Sequence, residues 1–287
     1  MSERFLPRHT VRIWWADLDD ADESLVSLLN PVESERLSRT GDPDNRRRFL
    51  LGCAISRVAL GGYLGIAPAE VPLHRRCARC GGPHGKVGLG SAPTPPGSPG
   101  GDPGSVAPGQ ICLSVTHGGR RVGVAFHRGA AVGLDVEPFS TAWSVPLLAR
   151  RVLTARERAR LDALPAERRH TGFLRYWTRK EAVVKALGVG LFPGVSGLEV
   201  SGPEEGPAVL SWERHPEWAP RTRLTDLDVG GAGADGGGPA GEAGPGAGYL
   251  ASVAVLAPTP HRVSARDAGA ALRAWAAARP EAGATGC

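Results

Sequence analysis

A chain of 287 residues is long enough for one large domain or two small ones, and its hydrophobic content of 41% can support a packed core. No apolar run reaches the length that spans a bilayer, and the first residues lack the apolar stretch of a signal peptide, so we expect a cytoplasmic protein without membrane contact. The net charge of +5 suits acidic partners, and five cysteines in so long a chain fit reduced thiols better than a disulfide framework.

Two segments, 88–110 and 230–248, consist largely of Gly and Pro. Such segments bury too little apolar surface to offset the entropy lost on ordering, so we interpret both as disordered insertions, each extending a loop of an otherwise foldable region.

The first half of the chain predicts a strand, a helix and further strands. Residues 11–15 predict the first strand. Within 44–64 the apolar residues have a roughly helical spacing, which predicts a helix that ends at Gly61-Gly62. Three short apolar runs separated by turn residues then predict antiparallel strands: 111–115, 122–126 and 131–136.

The second half begins with a helix capped by Thr154, whose partner in a capping box is Glu157. A longer helix is predicted from about 171 to 187, ending at Gly188. Further strands are predicted at 196–200, 209–212 and 249–255, followed by a helix that Ser264 caps and that runs to about 279.

This order of elements predicts an α+β protein with two halves of similar size. We divide it into an N-terminal half, 1–130, and a C-terminal half, 131–287, which carries the acidic motifs described next. The sequence itself shows no repeat between the halves.

Two short acidic motifs carry the chemistry. Residues two apart in a strand face the same side, so Asp135 and Glu137 point together, and Pro138 ends the strand behind them. Residues four apart in a helix share a face, so Glu181 lies beside Lys185. If helix and strand pack together, three carboxylates converge, and a hard divalent cation such as Mg²⁺ would balance their repulsion.

Each motif alone has a structural interpretation. Asp-x-Glu in a strand is most often a solvated face, and Lys-Glu in a helix is most often a surface ion pair. Their occurrence together, with a third motif, favours a functional site.

The third motif is Thr116-His117, at the end of a strand that runs into Gly118-Gly119. A hydroxyl, an imidazole and bare backbone amides can hold a phosphate, although a histidine in such a turn is also common without any ligand. Arginines cluster at 36, 39 and 46–48, where most are expected to be solvent-exposed and one or two to meet a second phosphate or an acidic partner.

Thr116-His117, Gly133-x-Asp135-x-Glu137 and Trp177-x-x-Lys180-Glu181-Ala182-x-x-Lys185 occur in this order. Together they resemble the signature of the 4′-phosphopantetheinyl transferases, specifically the larger, surfactin-synthetase-activating type. The likeness extends from about Asn30 to the end of the chain, except for the two insertions. The chain departs from the family pattern at Gly118, where a serine is common, at Phe49, where some relatives have a small polar residue, and at Cys53, where a charged residue is expected.

The resemblance implies a fold of two similar α+β halves in a pseudo-twofold arrangement, with coenzyme A held between them. It implies that Asp135, Glu137 and Glu181 ligate Mg²⁺, and that Asp135, Glu181 and Lys185 are catalytic. The residues implied to bind the coenzyme are Arg36, Arg48, Lys86, Thr116, His117, Lys180 and Lys185.

The implied reaction moves phosphopantetheine from coenzyme A to a serine of a carrier protein and releases adenosine 3′,5′-bisphosphate. Either Glu181 or a water molecule on the metal would take the serine proton. The implied partners are acyl or peptidyl carrier domains of polyketide, fatty-acid or nonribosomal peptide synthases, and we expect a monomer that binds neither nucleic acid nor membrane.

Two other functions use features of the same sequence. A Mg²⁺-dependent phosphohydrolase acting on a coenzyme A-like diphosphate would use the same carboxylates. A nucleic-acid-binding zinc knuckle would use the spacing His74-x-x-Cys77-x-x-Cys80-x-x-x-His84, which has zinc-ligand chemistry but is tight and equally compatible with a plain turn.

Overall fold

The computed structural model describes residues 5–75, 82, 85–90, 106–107, 109–140, 144–190, 195, 197–230 and 248–278. Most of both Gly- and Pro-rich segments lies outside the described residues. Of the four possible zinc ligands, only His74 is described, and Cys77, Cys80 and His84 lie outside.

The described elements mix strands and helices, which confirms the α+β class. The strands in chain order are β1 (Thr10–Asp17), β2 (Leu73–Arg75), β3 (Val87–Leu89), β4 (Ile111–Gly118), β5 (Arg121–Arg128), β6 (Val132–Pro138), β7 (Leu198–Val200), β8 (Val209–Trp212), β9 (Thr222–Val229), β10 (Tyr249–Leu256) and β11 (Arg262–Asp267). The helices are α1 (Pro31–Arg39), α2 (Pro43–Leu64), α3 (Val145–Val152), α4 (Ala155–Asp162), α5 (Ala166–Leu187) and α6 (Ala268–Ala277).

The two halves of the chain repeat one connectivity. In each half a first strand is followed by a 22-residue helix (α2 or α5), a short hairpin and two more strands. The sheets have matching orders, β1-β5-β4 in the N-terminal half and β6-β10-β9 in the C-terminal half. The predicted division at residue 130 falls in the turn between β5 and β6, and as a domain boundary it stays a prediction.

Strand β11 departs from this division. It comes from the C-terminal half but pairs in parallel with β1, at the edge of the N-terminal sheet. Because Arg262 of β11 also donates its backbone N–H to the His9 carbonyl oxygen at 2.8 Å, the late strand is bound to the start of the chain.

The two sheets share one apolar core, and each long helix covers the other face of its own sheet. Apolar side chains of β1 and β5 meet those of β6 and β10 in the core between the sheets: Val11, Ile13, Ala125, Val132, Leu134, Val253 and Val255. A second core lies between α2 and the N-terminal sheet, and a third between α5 and the C-terminal sheet. In β6, therefore, Leu134 faces the other sheet while its neighbour Asp135 faces α5.

Several local predictions are confirmed. Thr154 and Glu157 form both hydrogen bonds of the capping box at the start of α4. Helix α5 ends at Gly188, whose φ of 81° is the left-handed conformation expected for a glycine cap, although the helix begins at Ala166, before the predicted start.

The predicted end of α2 is wrong. The helix continues through Gly61-Gly62 to Leu64, and Gly65, with φ of 70°, caps it. Gly61 lies inside the helix at a tight contact, because a Cβ there would lie 3.0 Å from the Ile66 carbonyl oxygen. The glycine therefore serves packing rather than termination.

The predicted cap of the last helix is also wrong. Ser264 lies in β11, and Asp267 caps α6 by accepting a hydrogen bond from the Ala270 backbone N–H at 3.1 Å. The run at 131–136 is a strand as predicted, but its antiparallel partner is β10 rather than β5. None of the helices in the described part of the chain combines the length and apolarity of a transmembrane span.

Three histidines lie together at the end of the N-terminal sheet where β1 and β11 begin. The ring of His127, in β5, is buried, and its centroid lies 6.5 Å from that of His261 in an edge-on arrangement. Burial, followed by the nearby His261 and His9, lowers the pKa of His127 to about 4. Burial and the charge of Arg223 also lower the pKa of His261.

We expect this cluster to make the protein acid-sensitive. Because the folded-state pKa of His127 lies below its ordinary value of 6.5, its stabilising contribution is complete above pH 6.5 and is lost as the pH falls towards 4. Between pH 7.5 and 5 this amounts to about 2 kcal/mol of unfolding free energy.

Urea unfolding at pH 7.5 and at pH 5 measures the loss of unfolding free energy in wild type and in His127→Phe. The loss should be smaller in His127→Phe by about 2 kcal/mol. The control His170→Ala should keep the wild-type pH dependence. An equal acid sensitivity in His127→Phe and wild type would contradict the assignment.

Candidate active site

The site forms where helix α5 meets strand β6, and a glycine sets how closely they approach. A Cβ added to Gly133 would lie 1.9 Å from the Ala182 carbonyl oxygen and 2.4 Å from the Ala186 nitrogen. Only a residue without a side chain lets the backbones of strand and helix touch there. Glu181 and Lys185 on α5 are thereby brought against Asp135, two residues further along β6.

Asp135 is the centre of a buried polar cluster that joins the two halves. Its Oδ1 lies 2.6 Å from Lys185 Nζ and accepts a hydrogen bond from Thr116 Oγ1 of β4 at 3.3 Å. Lys185 Nζ also donates to Thr116 Oγ1 at 3.1 Å. Asp135 is 4% exposed, and its second oxygen, Oδ2, has no hydrogen-bond partner among the described residues.

Glu137 and Glu181 lie beside this cluster, as the strand and helix spacings predict. Trp177 Nε1 donates to Glu137 Oε1 at 3.2 Å. Burial, and next the negative charge of Asp135, raise the pKa of Glu137 to about 8 and that of Glu181 to about 7. Three carboxylates thus share one neighbouring ammonium, Lys185, and the surplus negative charge suits a cation.

The donor set has the chemistry of a hard-cation site. All three groups offer carboxylate oxygens, and the orphaned Oδ2 of Asp135 is a buried acceptor still open to a ligand. Within the described ranges, however, no group of three His, Cys, Asp or Glu side chains is close enough together in this structure to hold a metal ion. Binding would therefore require these side chains to draw together.

A positive rim borders the carboxylates at the turn between β4 and β5. His117 is exposed at the end of β4, and partial burial, followed by the charges of Lys185 and Arg48, lowers its pKa. Arg48 Nε and Nη2 donate to the Gly119 carbonyl oxygen at 3.0 and 2.9 Å, and Nη1 donates to Asn45 Oδ1 at 2.9 Å. Arg48 thus holds the turn that carries His117 and adds positive charge beside it.

Arg36 lies in a separate small cavity of about 220 Å³ in the N-terminal half. Its guanidinium stacks over the Phe49 ring at 4.8 Å, and Arg75 approaches the same ring at 5.8 Å. Burial, followed by repulsion from Arg75, lowers the pKa of Arg36. The cavity therefore combines two cations with an aromatic face, a combination that suits an anion.

The structure does not bring Lys180 to the site. Lys180 is fully buried, with its Nζ 2.6 Å from Glu157 Oε2 and bonded to the carbonyl oxygens of Val152 and Leu198 at 2.8 and 2.6 Å. Its predicted contact with the coenzyme is wrong, because every bond of its ammonium lies inside the C-terminal core.

Lys86 is also engaged away from the carboxylates. Its Nζ donates to the carbonyl oxygens of Val132 and Ala186, at 3.1 and 2.7 Å, and so links the N-terminal half to β6 and α5. Burial lowers its pKa to about 8. The structure gives this ammonium a bridging role between the two halves, whereas the family resemblance implied that Lys86 binds the coenzyme.

Comparison with known proteins gives the family. The family model described as the 4′-phosphopantetheinyl transferase superfamily matches residues 131–230, which hold all three carboxylates. The chain is similar to 4′-phosphopantetheinyl transferase HetI of Nostoc sp., with 29% identity over 212 residues, 73% of this chain and 80% of that protein. The chain belongs to the 4′-phosphopantetheinyl transferase superfamily.

Other curated relatives carry the same enzyme name. A phosphopantetheinyl transferase of Thraustochytrium sp. is 27% identical over 229 residues, 75% of this chain and 72% of that protein. The 4′-phosphopantetheinyl transferase psf-1 of Bacillus pumilus is 35% identical over 89 residues, 30% of this chain and 36% of that protein. The chain is accordingly a phosphopantetheinyl transferase.

The close approach of α5 to β6 makes Gly133 sensitive to substitution. Gly133→Ala should lower the unfolding free energy by about 1–3 kcal/mol, since the added methyl group forces the helix off the strand. Urea unfolding measures the change. The matched control is Gly62→Ala, an exposed helix position with open space, which should be neutral or stabilise by about 0.5–1 kcal/mol. Equal stability of the two variants would contradict the packing argument.

Proposed function

We propose that this phosphopantetheinyl transferase moves the 4′-phosphopantetheine group of coenzyme A to a serine of an acyl or peptidyl carrier protein, with Mg²⁺. The observation that carries the proposal is the Asp135–Lys185–Thr116 cluster, which joins both halves of the chain beside Glu137 and Glu181. In this place the side chains that would bind a cation lie next to those that would bind phosphate. The surfactin-synthetase-activating type is part of this proposal.

Asp135, Glu137 and Glu181 would hold the Mg²⁺ ion. When bound, the ion supplies positive charge that neutralises the pyrophosphate of coenzyme A. The orphaned Oδ2 of Asp135 and the mutual repulsion of the three carboxylates support this assignment.

Lys185 would contact the pyrophosphate directly. Its side chain is 31% exposed, and Asp135 and Thr116 hold its Nζ at the edge of the cluster. Burial lowers the pKa of Lys185, but Asp135, Glu181 and Glu137 together raise it by more, so its ammonium stays charged. A fixed positive charge stabilises the negative charge that develops on the leaving oxygen. His117 and Arg48 would add positive charge at the same side for the 3′-phosphate.

The proposed step forms one bond and breaks one. The oxygen of the carrier serine bonds to the β-phosphorus of coenzyme A, and the bond from that phosphorus to the bridging oxygen breaks. The bridging oxygen leaves with adenosine 3′,5′-bisphosphate. We assign the serine proton to the Glu181 carboxylate.

The net charge of +5 supports an acidic carrier as the partner, because complementary charge speeds encounter. Carrier domains of polyketide, fatty-acid or nonribosomal peptide synthases are the proposed clients. The cytoplasmic location and the monomeric state stay predictions.

The phosphohydrolase alternative has the same carboxylates but lacks support from the family assignment. It predicts consumption of coenzyme A in the absence of any carrier. Transfer predicts consumption only when an apo carrier is present. The zinc-knuckle alternative rests on residues of which only His74 is described.

We expect Glu181→Gln and Asp135→Asn to lower the transfer rate at least about 100-fold, since each removes an anionic ligand of the proposed Mg²⁺ site, and Glu181→Gln also removes the proposed proton acceptor. The rate is measured as the mass shift of an apo carrier incubated with coenzyme A and Mg²⁺, and circular dichroism should show an intact fold. The control is Glu204→Ala, which removes only a surface pair with Arg168. Full activity of either site variant would contradict the proposed site.

Chelation should give a second test of the cation. We expect EDTA to stop transfer by the wild-type enzyme and excess Mg²⁺ to restore it. Transfer that continues unchanged in EDTA would contradict the assignment of Asp135, Glu137 and Glu181 as metal ligands.

A further inference from the structure

A row of polar side chains crosses the C-terminal sheet beneath helix α5. Asp135 of β6 is paired with Ser252 of β10, and Ser252 is paired with Asp226 of β9. All three side chains contact α5, and all lie in an otherwise apolar interface. Asp135 belongs to the catalytic cluster, whereas Asp226 lies two strands away from it.

Asp226 binds two arginines of α5. Its Oδ2 accepts from Arg179 Nη2 at 2.6 Å and from Arg175 Nη1 at 3.1 Å, and its Oδ1 accepts from Arg179 Nε at 3.1 Å. Burial alone would raise the pKa of Asp226, but the hydrogen bonds and charges of these arginines lower it. Asp226 is therefore held as a carboxylate.

Arg179 itself is 1% exposed. Its Nη1 donates to the carbonyl oxygens of Ser201 and Gly202 at 2.9 and 2.7 Å, and its Nη2 donates to that of Glu205 at 2.8 Å. Asp226 is the only carboxylate with which it forms an ion pair within the described residues. This guanidinium is thus held both by Asp226 of β9 and by the carbonyl oxygens of the segment that follows β7.

Ser252 connects Asp226 to the middle of the helix. Its hydroxyl donates to Asp226 Oδ1 at 3.0 Å, and its Oγ lies 3.0 Å from Thr178 Oγ1. With the Ser252 hydrogen directed to Asp226, Ser252 Oγ can accept the Thr178 hydrogen, for which the Arg175 carbonyl oxygen at 3.2 Å is a second acceptor. One connected set of hydrogen bonds therefore runs from Asp226 to Thr178, three residues before Glu181.

Helix α5 is consequently held at three polar points, Asp226, Ser252 and Asp135, across three strands. Apolar packing is non-directional and by itself allows a helix to slide or rotate slightly. Hydrogen bonds depend on distance and angle, so they fix both the rotation and the axial position of the helix. Glu181 lies between the second and third points.

We propose that Asp226 is a positioning residue for the transfer reaction, acting through Arg179 and through the Ser252–Thr178 pair on Glu181 and Lys185. Asp226 contacts neither of these catalytic residues. Its effect is to hold α5 where the Glu181 carboxylate and the Lys185 ammonium meet Asp135. The inference rests on the transfer activity proposed above.

The test compares Asp226→Asn, Asp226→Glu and Ser252→Ala with wild type and with the surface control Glu204→Ala. Transfer to an apo carrier is measured below the melting temperature of each variant, with kcat and KM determined separately. Hydrogen exchange of backbone amides in 177–187 gives a readout that does not depend on activity.

We expect Asp226→Asn to lower kcat about 10- to 100-fold, because small displacements of catalytic groups are costly. The KM for coenzyme A should stay within about twofold, since Asp226 lies away from Thr116 and His117. Exchange in 177–187 should be faster than in Glu204→Ala. Asp226→Glu, which keeps the charge, should recover part of kcat. Ser252→Ala should lower kcat less than Asp226→Asn does.

If Asp226→Asn fails to fold because Arg179 has lost its charge partner, Ser252→Ala decides, since it keeps the ion pair. Unchanged kcat and unchanged exchange in a folded variant, with only the melting temperature lowered, would overturn the inference. A wild-type chain that loads no apo carrier would instead overturn the proposed function, and this inference with it.

Discussion

The pairing of buried charges on helix α5 is the constraint on which the rest of the site depends. An unpaired charge taken out of water costs several kcal/mol, so each must find its partner. Lys180 forms an ion pair with Glu157, Arg179 with Asp226, and Lys185 with Asp135, each with a nitrogen–oxygen distance of 2.6 Å. These partners lie on three different elements, α4, β9 and β6, and one position of the helix satisfies all of them. Glu181 is placed by that same position.

The catalytic cluster exists only where the two halves of the chain meet. The C-terminal half supplies the carboxylates and Lys185, while the N-terminal half supplies Thr116 and the turn with His117. Two glycines make the meeting possible: Gly133 lets α5 touch β6, and a Cβ on Gly118 would lie 2.4 Å from the Val136 carbonyl oxygen. Neither half alone carries the whole proposed site, so the repeated connectivity yields a single site.

Local patterns in the sequence were enough to place Asp135 and Glu137 on one strand face and Glu181 and Lys185 on one helix face, because both spacings follow from backbone periodicity. Periodicity does not reveal partners distant in sequence. The family resemblance assigned Lys180 to the coenzyme, and nothing in the sequence indicated that it pairs with Glu157, which was predicted only as a capping residue. Strand β9 was not predicted, because its polar residues alternate with few large apolar ones. Asp226, which lies in β9, was therefore not identified either. Strand β11 was missed because its pairing with β1 spans nearly the whole chain.

The parallel pairing of β11 with β1 has a consequence for synthesis of the protein on the ribosome. The N-terminal sheet can form β1-β5-β4 early, but the open side of β1 stays without its last neighbour until the segment Arg262–Asp267 has emerged. An unpaired strand side is a template for association with other chains. Until that segment has been synthesised, the nascent polypeptide therefore exposes the unpaired side of β1 to association with other chains.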